Sequence, residues 1–364
     1  MVSILVYAST IVSPLDGIYV REGFLYAEAG RVARLGEGEP PAELEAAELV
    51  VGGRGRLVAP ALASAHTHLL LYPLRHLLPH GDPASTELAE RLASSITPQE
   101  AYRLALLALY ELTMHGVVFV EAMDPFSEHV ARAIRDAGIR GVVSVPMPGC
   151  RYSGPSWREE LEALLEWRGV RVALAACTRG DVEEALRLRR EAHPGLEIHG
   201  HPPEAHLDPR VDVSLHGGEA ERRVLVPTPG SSLEPVEAGL GLDAAGIGDP
   251  LRAALVAAWL GMGYRAALAA VTRGACSAYR EDCGSLREGA PADLIVYDLS
   301  TPPGTIPRPE AVERLLLDAE PRVEMVVARG QPIVDQGTHL TIQPAVVDEA
   351  LRLAERLVEE LTRA

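Results

Sequence analysis

The chain has 364 residues, of which 47% are hydrophobic and 23% charged, the balance of a globular protein of one or two domains. Its 34 basic residues are all arginine, and 51 acidic residues give a formal net charge of −17, which argues against nucleic acid as a partner. The absence of lysine excludes lysine Schiff-base catalysis, pyridoxal phosphate enzymes, phosphate loops that require lysine, and metal centres bridged by a carboxylated lysine.

The predicted elements change character twice along the chain. Residues 1–57 read as short strands separated by turns, the first part of a small β-sandwich domain built from both chain ends. Over 58–283, strands alternate with helical stretches, which predicts a (β/α)₈ barrel with a parallel sheet in the α/β class. Strands return over 284–342 as the second part of the β-domain, and 343–364 predicts a C-terminal helix. The eight barrel strands are predicted at 57–66, 116–123, 141–147, 170–177, 196–201, 211–216, 222–227 and 238–243.

The cysteines and the amino-terminal sequence indicate in which cellular compartment the protein is expected. The four cysteines form no Cys-x-x-Cys pair, so we expect free thiols in a reducing compartment, although the spacing of Cys276 and Cys283 permits a local disulfide. The first residues predict a strand and lack the basic segment of a signal peptide. No run of about 18 apolar residues occurs. We therefore predict a cytoplasmic protein with no membrane partner.

Two histidines end the first predicted barrel strand. His66 and His68 follow the apolar run from Leu57 to Leu62 and are separated by one residue. Alternate residues of a strand point to the same side, so both imidazoles can face the barrel mouth and bind one metal ion. By itself such a pair can also be two ordinary polar residues.

A second polar group follows the fifth predicted strand. His201 is a candidate third metal ligand, and Glu204 comes three residues later, close enough to handle a proton at a metal-activated water. His199 either contacts one of the metal-binding residues without binding the metal itself or packs as a strand histidine, and we favour packing.

Two single residues complete the constellation. His216 ends the apolar strand over 211–216, and Asp243 ends the strand over 238–243. Each would be unremarkable alone. Together with the other histidines they give four ligands and two proton-handling groups at strand ends, where barrel active sites form.

This set of residues resembles the amidohydrolase superfamily, in the branch of metal-dependent aminohydrolases that includes guanine, cytosine, chlorotriazine and methylthioadenosine/S-adenosylhomocysteine deaminases. The resemblance rests on 57–68 (family pattern apolar-Pro-Gly-apolar-x-x-x-His-x-His), 199–204 (His-x-His-x-x-Glu), His216, 241–243 (Gly-Thr-Asp), and 272–275 and 284–294, where the barrel meets the β-domain. The chain departs from the family in two prolines after His201 and in 227–232, which replaces the usual asparagine after the seventh strand.

The resemblance implies a site with one metal ion. His66, His68, His201 and Asp243 would hold a divalent cation, Zn²⁺ in the first place and Fe²⁺ as an alternative, since nitrogen and oxygen ligands suit both. Asp243 would also accept or orient the water proton, Glu204 would carry a proton to the substrate ring, and His216 would stabilise the attacked centre.

The resemblance further implies hydrolysis of a carbon–nitrogen bond, with deamination of a purine, pyrimidine or triazine-like ring favoured. One alternative is a hydrolase of the same fold that opens a cyclic or linear amide, and another is a non-catalytic binding module. The partners would be a small-molecule substrate and a second copy of the chain in a homodimer. The segment 69–95 is expected to cap the site. Its polar residues are either substrate contacts or solvated loop residues, and we favour solvated loop residues; they are Tyr72, Arg75, His76, His80 and Arg91.

Overall fold

The computed structural model describes most of the chain. The described residues are 2–78, 83–154, 156–167, 169–227, 233, 237–244, 247–300, 308–319 and 321–362. His80 and the segment 228–232, both singled out from the sequence, lie outside them.

The strands fall into three groups along the chain. The amino-terminal group is β1 (Ile4–Ser13), β2 (Ile18–Glu28), β3 (Arg31–Glu37), β4 (Leu49–Gly52) and β5 (Arg56–Pro60). The middle group is β6 (Leu62–Thr67), β7 (Val117–Ala122), β8 (Arg140–Pro146), β9 (Arg171–Ala176), β10 (Glu197–Gly200), β11 (Val213–Ser214), β12 (Arg222–Leu225) and β13 (Gly239–Leu240). The carboxy-terminal group is β14 (Leu294–Asp298), β15 (Arg322–Ala328), β16 (Gln331–Asp335) and β17 (Thr338–His339).

The helices surround the middle strands. They are α1 (Pro83–Ser95), α2 (Pro98–Met114), α3 (Ser127–Asp136), α4 (Trp157–Trp167), α5 (Arg179–Glu191), α6 (Pro250–Ala257), α7 (Tyr264–Ala270), α8 (Arg273–Ser277), α9 (Val312–Asp318) and α10 (Pro344–Thr362). α2 begins with a capping box in which Thr97 and Glu100 satisfy each other's backbone N–H groups. α10 packs on α2 through its apolar side.

The middle strands form the predicted barrel. Each strand from β6 to β13 is parallel to its neighbour, and a backbone bridge between Thr67 and Asp243 joins the last strand to the first. Two glycines allow this closure, because a Cβ atom at Gly239 or Gly241 would lie 2.7 Å from the Cβ atom of Ala65 or His66. The connections after β10 and β11 contain no α-helix, as expected from their length. The (β/α)₈ fold class is confirmed.

A second sheet combines both ends of the chain. Its strand order is β17-β16-β15-β14-β5-β1-β2-β3, with β4 paired to β1. The single strand predicted over 57–66 is wrong, because it divides at Ala61: β5 pairs with β14 and β1, whereas β6 pairs with β7. The backbone N–H of Ala61 donates to Asp293, and that of the next residue donates to Gly116, so the chain changes sheets there. The predicted domain boundaries stay predictions.

The cysteines are paired, so the prediction of free thiols is wrong. Cys150 bonds to Cys177 and Cys276 to Cys283, with Cα–Cα distances of 5.0 and 5.9 Å. The first pair forms because neighbouring strands β8 and β9 bring together loops that are 27 residues apart in sequence. The cytoplasmic location stays a prediction. Over the described residues, the helices include none with the length and hydropathy needed to cross a membrane.

Candidate metal centre

The two histidines at the end of β6 are anchored from behind. His66 is fully buried, and its Nδ1 lies 2.8 Å from Oε2 of Glu121 on β7. Nδ1 of His68 lies 2.5 Å from the carbonyl oxygen of Met123, directly after β7. A carboxylate and a carbonyl both accept, so each Nδ1 donates its hydrogen, and in the neutral form of each imidazole the lone pair lies on Nε2. The two lone pairs are thus available for one cation.

Two further histidines come from β10 and β11. The rings of His201 and His216 lie 4.8 Å apart, and each is within 5.3 Å of the His66 ring, measured between centroids. The Nε2 atoms of these three residues are buried and have no hydrogen-bond partner among the described residues. Leaving a buried polar atom unpaired costs about 1–3 kcal/mol, so three in one place indicate a ligand site.

Asp243 supplies the carboxylate of the cluster. Its Oδ1 lies 3.2 Å from Nε2 of His68 and 3.7 Å from Nε2 of His66, and its Oδ2 lies 3.9 Å from Nε2 of His216. The ligand atoms of His66, His68 and His201 lie within 4.8 Å of one another, and so do those of His66, His216 and Asp243. Three or four imidazole nitrogens with one carboxylate oxygen is a donor set that fits Zn²⁺.

Two residues of the cluster have a left-handed backbone. His216 and Asp243, with φ of 61° and 55°, are among nine non-glycine residues of the described chain with positive φ. Such conformations cost about 1–3 kcal/mol each for a residue other than glycine and persist where the surroundings impose them. The backbone N–H of Asp243 donates to the carbonyl of His66 at 2.9 Å, which fixes the carboxylate beside β6. The strain therefore serves to place side chains.

The protonation states of His201, His216 and Asp243 suit a cation. His68 differs: burial lowers its pKa, but the hydrogen bond and the charge of Asp243 outweigh burial and raise that pKa to about 9, so a bound cation would have to displace its proton. Burial, reinforced by the neighbouring histidines, lowers the pKa of His201 well below its ordinary value. Burial also lowers the pKa of His216 to about 4, although Asp243 acts in the opposite direction. Burial raises the pKa of Asp243, but its interactions with His216 and His68 outweigh burial and hold that pKa well below its ordinary value. Neutral imidazoles and an ionised carboxylate are the forms that bind a metal.

Glu204 lies apart from these five residues. Its side chain is exposed, and its Oε2 accepts a hydrogen bond from the backbone N–H of Arg179 at 3.3 Å. Arg179 is the first residue of α5, where a carboxylate is stabilised by the helix dipole. The structure therefore brings together His66, His68, His201, His216 and Asp243, and it places Glu204 on the rim of the barrel mouth.

A buried acid on β7 escaped the sequence analysis. Glu121 is fully buried and accepts hydrogen bonds from His66 and from the hydroxyl of Ser144. His199 joins this group, with its Nδ1 2.7 Å from Oγ of Ser144 and 3.5 Å from Oε1 of Glu121. Burial raises the pKa of Glu121, but its contacts with His199 and His66 lower it well below its ordinary value. The favoured interpretation of His199 as a residue that only packs is therefore wrong.

Asp124, at the end of β7, was also missed. Its carboxylate accepts from the backbone N–H groups of Leu69 and Leu70 at 2.8 and 3.2 Å, and from the hydroxyl of Tyr152 at 3.1 Å. Burial raises its pKa to about 7, although the charge of His68 opposes this. Asp124 therefore fixes the loop that follows His68. The available signal was an acid that ends an apolar strand, as Asp243 does.

The candidate substrate contacts of the capping segment are partly occupied. The Tyr72 hydroxyl donates to the carbonyl of Gly248. Arg75 donates from Nη1 to Oε2 of Glu111 at 3.1 Å, and its guanidinium lies 4.3 Å from the centroid of the Tyr72 ring. Both residues thus hold the capping segment against the barrel. His76 is exposed.

Several known proteins are similar to this chain in sequence. A family model described as "Amidohydrolase family" matches residues 233–334. A 5'-deoxyadenosine deaminase of Methanothermobacter thermautotrophicus is 27% identical over 266 residues, which are 68% of this chain and 56% of that protein. A 5-methylthioadenosine/S-adenosylhomocysteine deaminase of Symbiobacterium thermophilum is 32% identical over 181 residues, 45% of this chain and 39% of that protein. The chain thus spans about half the length of these curated relatives.

Solved structures share the fold. An adenosine deaminase from Xanthomonas campestris with bound zinc superposes with a TM-score of 0.76 at 18% identity, over 98% of each chain. Atrazine chlorohydrolase from Arthrobacter aurescens complexed with zinc superposes with a TM-score of 0.75 at 17% identity, over 96% of this chain and 100% of that one. The family match over 233–334, the sequence relatives and the shared fold together make this chain similar to the amidohydrolase family and to deaminases.

Proposed function

We propose that the chain is a metal-dependent hydrolase that removes an amino group from a nitrogen heterocycle. The reaction replaces the carbon–nitrogen bond with a carbon–oxygen bond from water and releases ammonia. The observation that carries the proposal is the cluster of His66, His68, His201, His216 and Asp243, with three buried Nε2 atoms directed at one place. The names of the sequence relatives support adenosine derivatives as the first substrates to test.

The residues that would hold the cation are His66, His68, His201 and Asp243, and the donor set favours one Zn²⁺, with Fe²⁺ as the alternative. Zinc is present in two structures with this fold, which supports the choice. A bound divalent cation supplies Lewis acidity, which makes water a nucleophile at neutral pH. The chain has no lysine with which to bridge a second cation, so we propose one ion per chain.

Three residues would handle protons and charge. Asp243 takes the proton of the attacking water, because its carboxylate is ionised and about a quarter of the side chain is exposed to the barrel mouth. His216 stays neutral through burial and donates a hydrogen bond to the oxygen atom that adds to the attacked ring carbon. Glu204 carries a proton to the substrate ring, for which its carboxylate must leave the backbone of Arg179 and turn inward.

The direct test is ammonia release from a panel of aminated heterocycles. Purified protein supplied with Zn²⁺ is incubated with 5'-deoxyadenosine, 5'-methylthioadenosine, S-adenosylhomocysteine, guanine, cytosine and an aminotriazine. The variant Asp243→Asn should release no ammonia. Asp208→Asn is the matched control, because that carboxylate pairs with Arg210 at 2.7 Å, and it should retain full activity.

The other possible outcomes of these assays would lead to different conclusions. Hydrolysis of cyclic or linear amides to acids, with no ammonia released from the aminated heterocycles, would establish the amide hydrolase instead. The absence of both turnover and bound metal would favour a binding module. Equal activity in the wild type and Asp243→Asn would show that the cluster is not the site of catalysis.

We also propose that the chain forms a homodimer. Large apolar side chains are exposed among the described residues, and Trp259, on the helical turn after α6, is 70% exposed. Exposed aromatic residues are enriched in protein interfaces. Light scattering after size-exclusion chromatography tests this proposal: twice the chain mass of 39.0 kDa supports it, and the chain mass itself contradicts it.

A further inference from the structure

Glu121 is a charged residue in a place where barrels usually carry apolar side chains. It lies on β7 among buried apolar residues, and its side chain is 0% exposed. Its Oε2 is 2.8 Å from Nδ1 of His66, while its Oε1 accepts from Ser144 and lies 3.5 Å from Nδ1 of His199. Both oxygens are therefore occupied, and each by different residues.

The partners of Glu121 differ from those of other buried carboxylates. Asp293 pairs with Arg140 at 2.7 Å, and Glu324 pairs with Arg56 at 2.8 Å, each in a two-pronged contact typical of structural ion pairs. The ion-pair contacts of Glu121 within the described chain are with histidines, and one of these histidines belongs to the metal cluster. Burying a carboxylate without arginine is costly, so a role beyond packing is indicated.

We propose that Glu121 is a positioning residue that fixes the tautomer and orientation of His66 and so strengthens binding of the divalent cation. The proposal rests on the proposed metal site. By accepting the hydrogen of Nδ1, the carboxylate leaves the lone pair of His66 on Nε2, the atom that faces the cluster. The negative charge also makes the imidazole a stronger donor to a metal ion, as carboxylates behind ligand histidines do.

Ser144 and His199 hold the carboxylate itself in place. Because both contact Oε1, the carboxylate cannot rotate about its last bond without breaking these contacts, and Oε2 stays directed at His66. Ser144→Ala should therefore weaken metal binding less than a change of Glu121, since the contact between Glu121 and His66 remains.

The test measures metal affinity, which a packing role would leave unchanged. The dissociation constant for Zn²⁺ is determined by competition with a chromophoric chelator for the wild type, Glu121→Gln and Asp293→Asn. Glutamine keeps the shape and can still accept from His66, but it lacks the charge. We expect the dissociation constant of Glu121→Gln to rise by about 10- to 100-fold. Asp293→Asn removes an equally buried charge away from the cluster and should leave the constant unchanged.

The outcomes separate this inference from the proposed function. If the wild type binds Zn²⁺ and Glu121→Gln binds it equally well, the inference is overturned and the proposed function stands. A loss of affinity in Asp293→Asn as large as that in Glu121→Gln also overturns it, because the effect would then be general destabilisation. A wild type that binds no Zn²⁺ overturns both. Glu121→Asp, which keeps the charge but withdraws it from His66, replaces Glu121→Gln if the latter does not fold, and it should also weaken binding.

Discussion

Polar side chains are common at both ends of the barrel strands, but the two ends differ in whether these side chains have partners within the chain. At the amino ends, carboxylates are paired with arginines: Arg140 contacts Asp293 at 2.7 Å and Glu281 at 3.0 Å, and Arg222 contacts Glu197 at 3.2 Å. This network joins the barrel to the second sheet, because Asp293 lies directly before β14. Its charges are satisfied within the chain, which is the property of a stabilising cluster.

At the carboxyl ends, several buried imidazole nitrogens have no hydrogen-bond partner among the described residues. Among them are the Nε2 atoms of His66, His201 and His216. His216 and Asp243 are also held in left-handed backbone conformations. Left-handed residues also occur in the amino-end network, where Arg280 and Arg329 have φ of 52° and 45°. The distinction therefore rests on the unpaired Nε2 atoms, which lie at the end of the barrel where active sites form. The contrast indicates that one end stabilises the fold and the other binds a ligand.

The largest effect is expected from a substitution that removes a metal ligand from the carboxyl-end cluster. His201→Ala removes a ligand from the middle of the set and should abolish metal binding and activity together. Elemental analysis should find one Zn²⁺ per chain in the wild type and none in the variant. His193→Ala is the matched control, because that histidine contacts Glu162 at 3.2 Å outside the cluster, and it should keep its metal. Retention of the metal in His201→Ala would remove this residue from the ligand set.

A large effect on rate alone is expected at Glu204. Glu204→Gln keeps the shape of the side chain but cannot carry a proton, so turnover should fall by about 10²–10⁴-fold while the metal remains bound. Steady-state kinetics with metal analysis measure both quantities. Glu219→Gln, another exposed glutamate on a neighbouring loop, should turn over normally. Wild-type turnover by Glu204→Gln would leave Glu204 as the exposed cap of α5 that its contact with Arg179 describes.

The amino-end network should affect stability without affecting metal. Arg140→Ala leaves the buried carboxylate of Asp293 without its arginine partner and should lower the free energy of unfolding by about 3–5 kcal/mol. Urea denaturation measures the loss, and elemental analysis should show unchanged metal content. A variant that is as stable as the wild type, or one that loses its metal, would contradict the division between the two ends.

The smallest effect concerns acid stability at the amino end. Burial raises the pKa of Glu197, but the nearby His199, Arg222 and Arg171 outweigh burial and lower it to about 2. As pH falls from about 4.5 to about 2, the unfolded state therefore takes up a proton before the folded state does, and stability is lost. Glu197→Gln lacks this contribution, so its stability should change less between pH 5 and pH 3 in urea denaturation. An equal pH dependence in both proteins would contradict the assignment.

The barrel and the cluster were largely predictable because their signals are local. Strand alternation placed eight strands, and the positions of His66, His68, His201, His216 and Asp243 at strand ends indicated which side chains converge. The run over 57–66 was misassigned because it is apolar throughout, and local hydrophobicity does not distinguish a strand that pairs in one sheet from two strands that pair in different sheets.

Features that depend on pairing between distant segments were missed. Cys150 and Cys177 are 27 residues apart and meet only because β8 and β9 are neighbours. A single acid such as Glu121 inside an apolar strand has no partner at a recognisable spacing, since His66 lies 55 residues away. The role of Glu204 stays a prediction. The motif gives only its spacing from His201 in the sequence, whereas the conformation of the loop after β10 determines where the carboxylate points.

We propose that His66, His68, His201 and Asp243 bind one divalent cation. This can be examined by diffraction from crystals of the zinc-loaded protein, with anomalous data collected on both sides of the zinc absorption edge. We expect one anomalous peak per chain, within coordination distance of about 2.0–2.2 Å from these four side chains. Two peaks about 3.5–4 Å apart, or a single peak away from the histidine cluster, would contradict it.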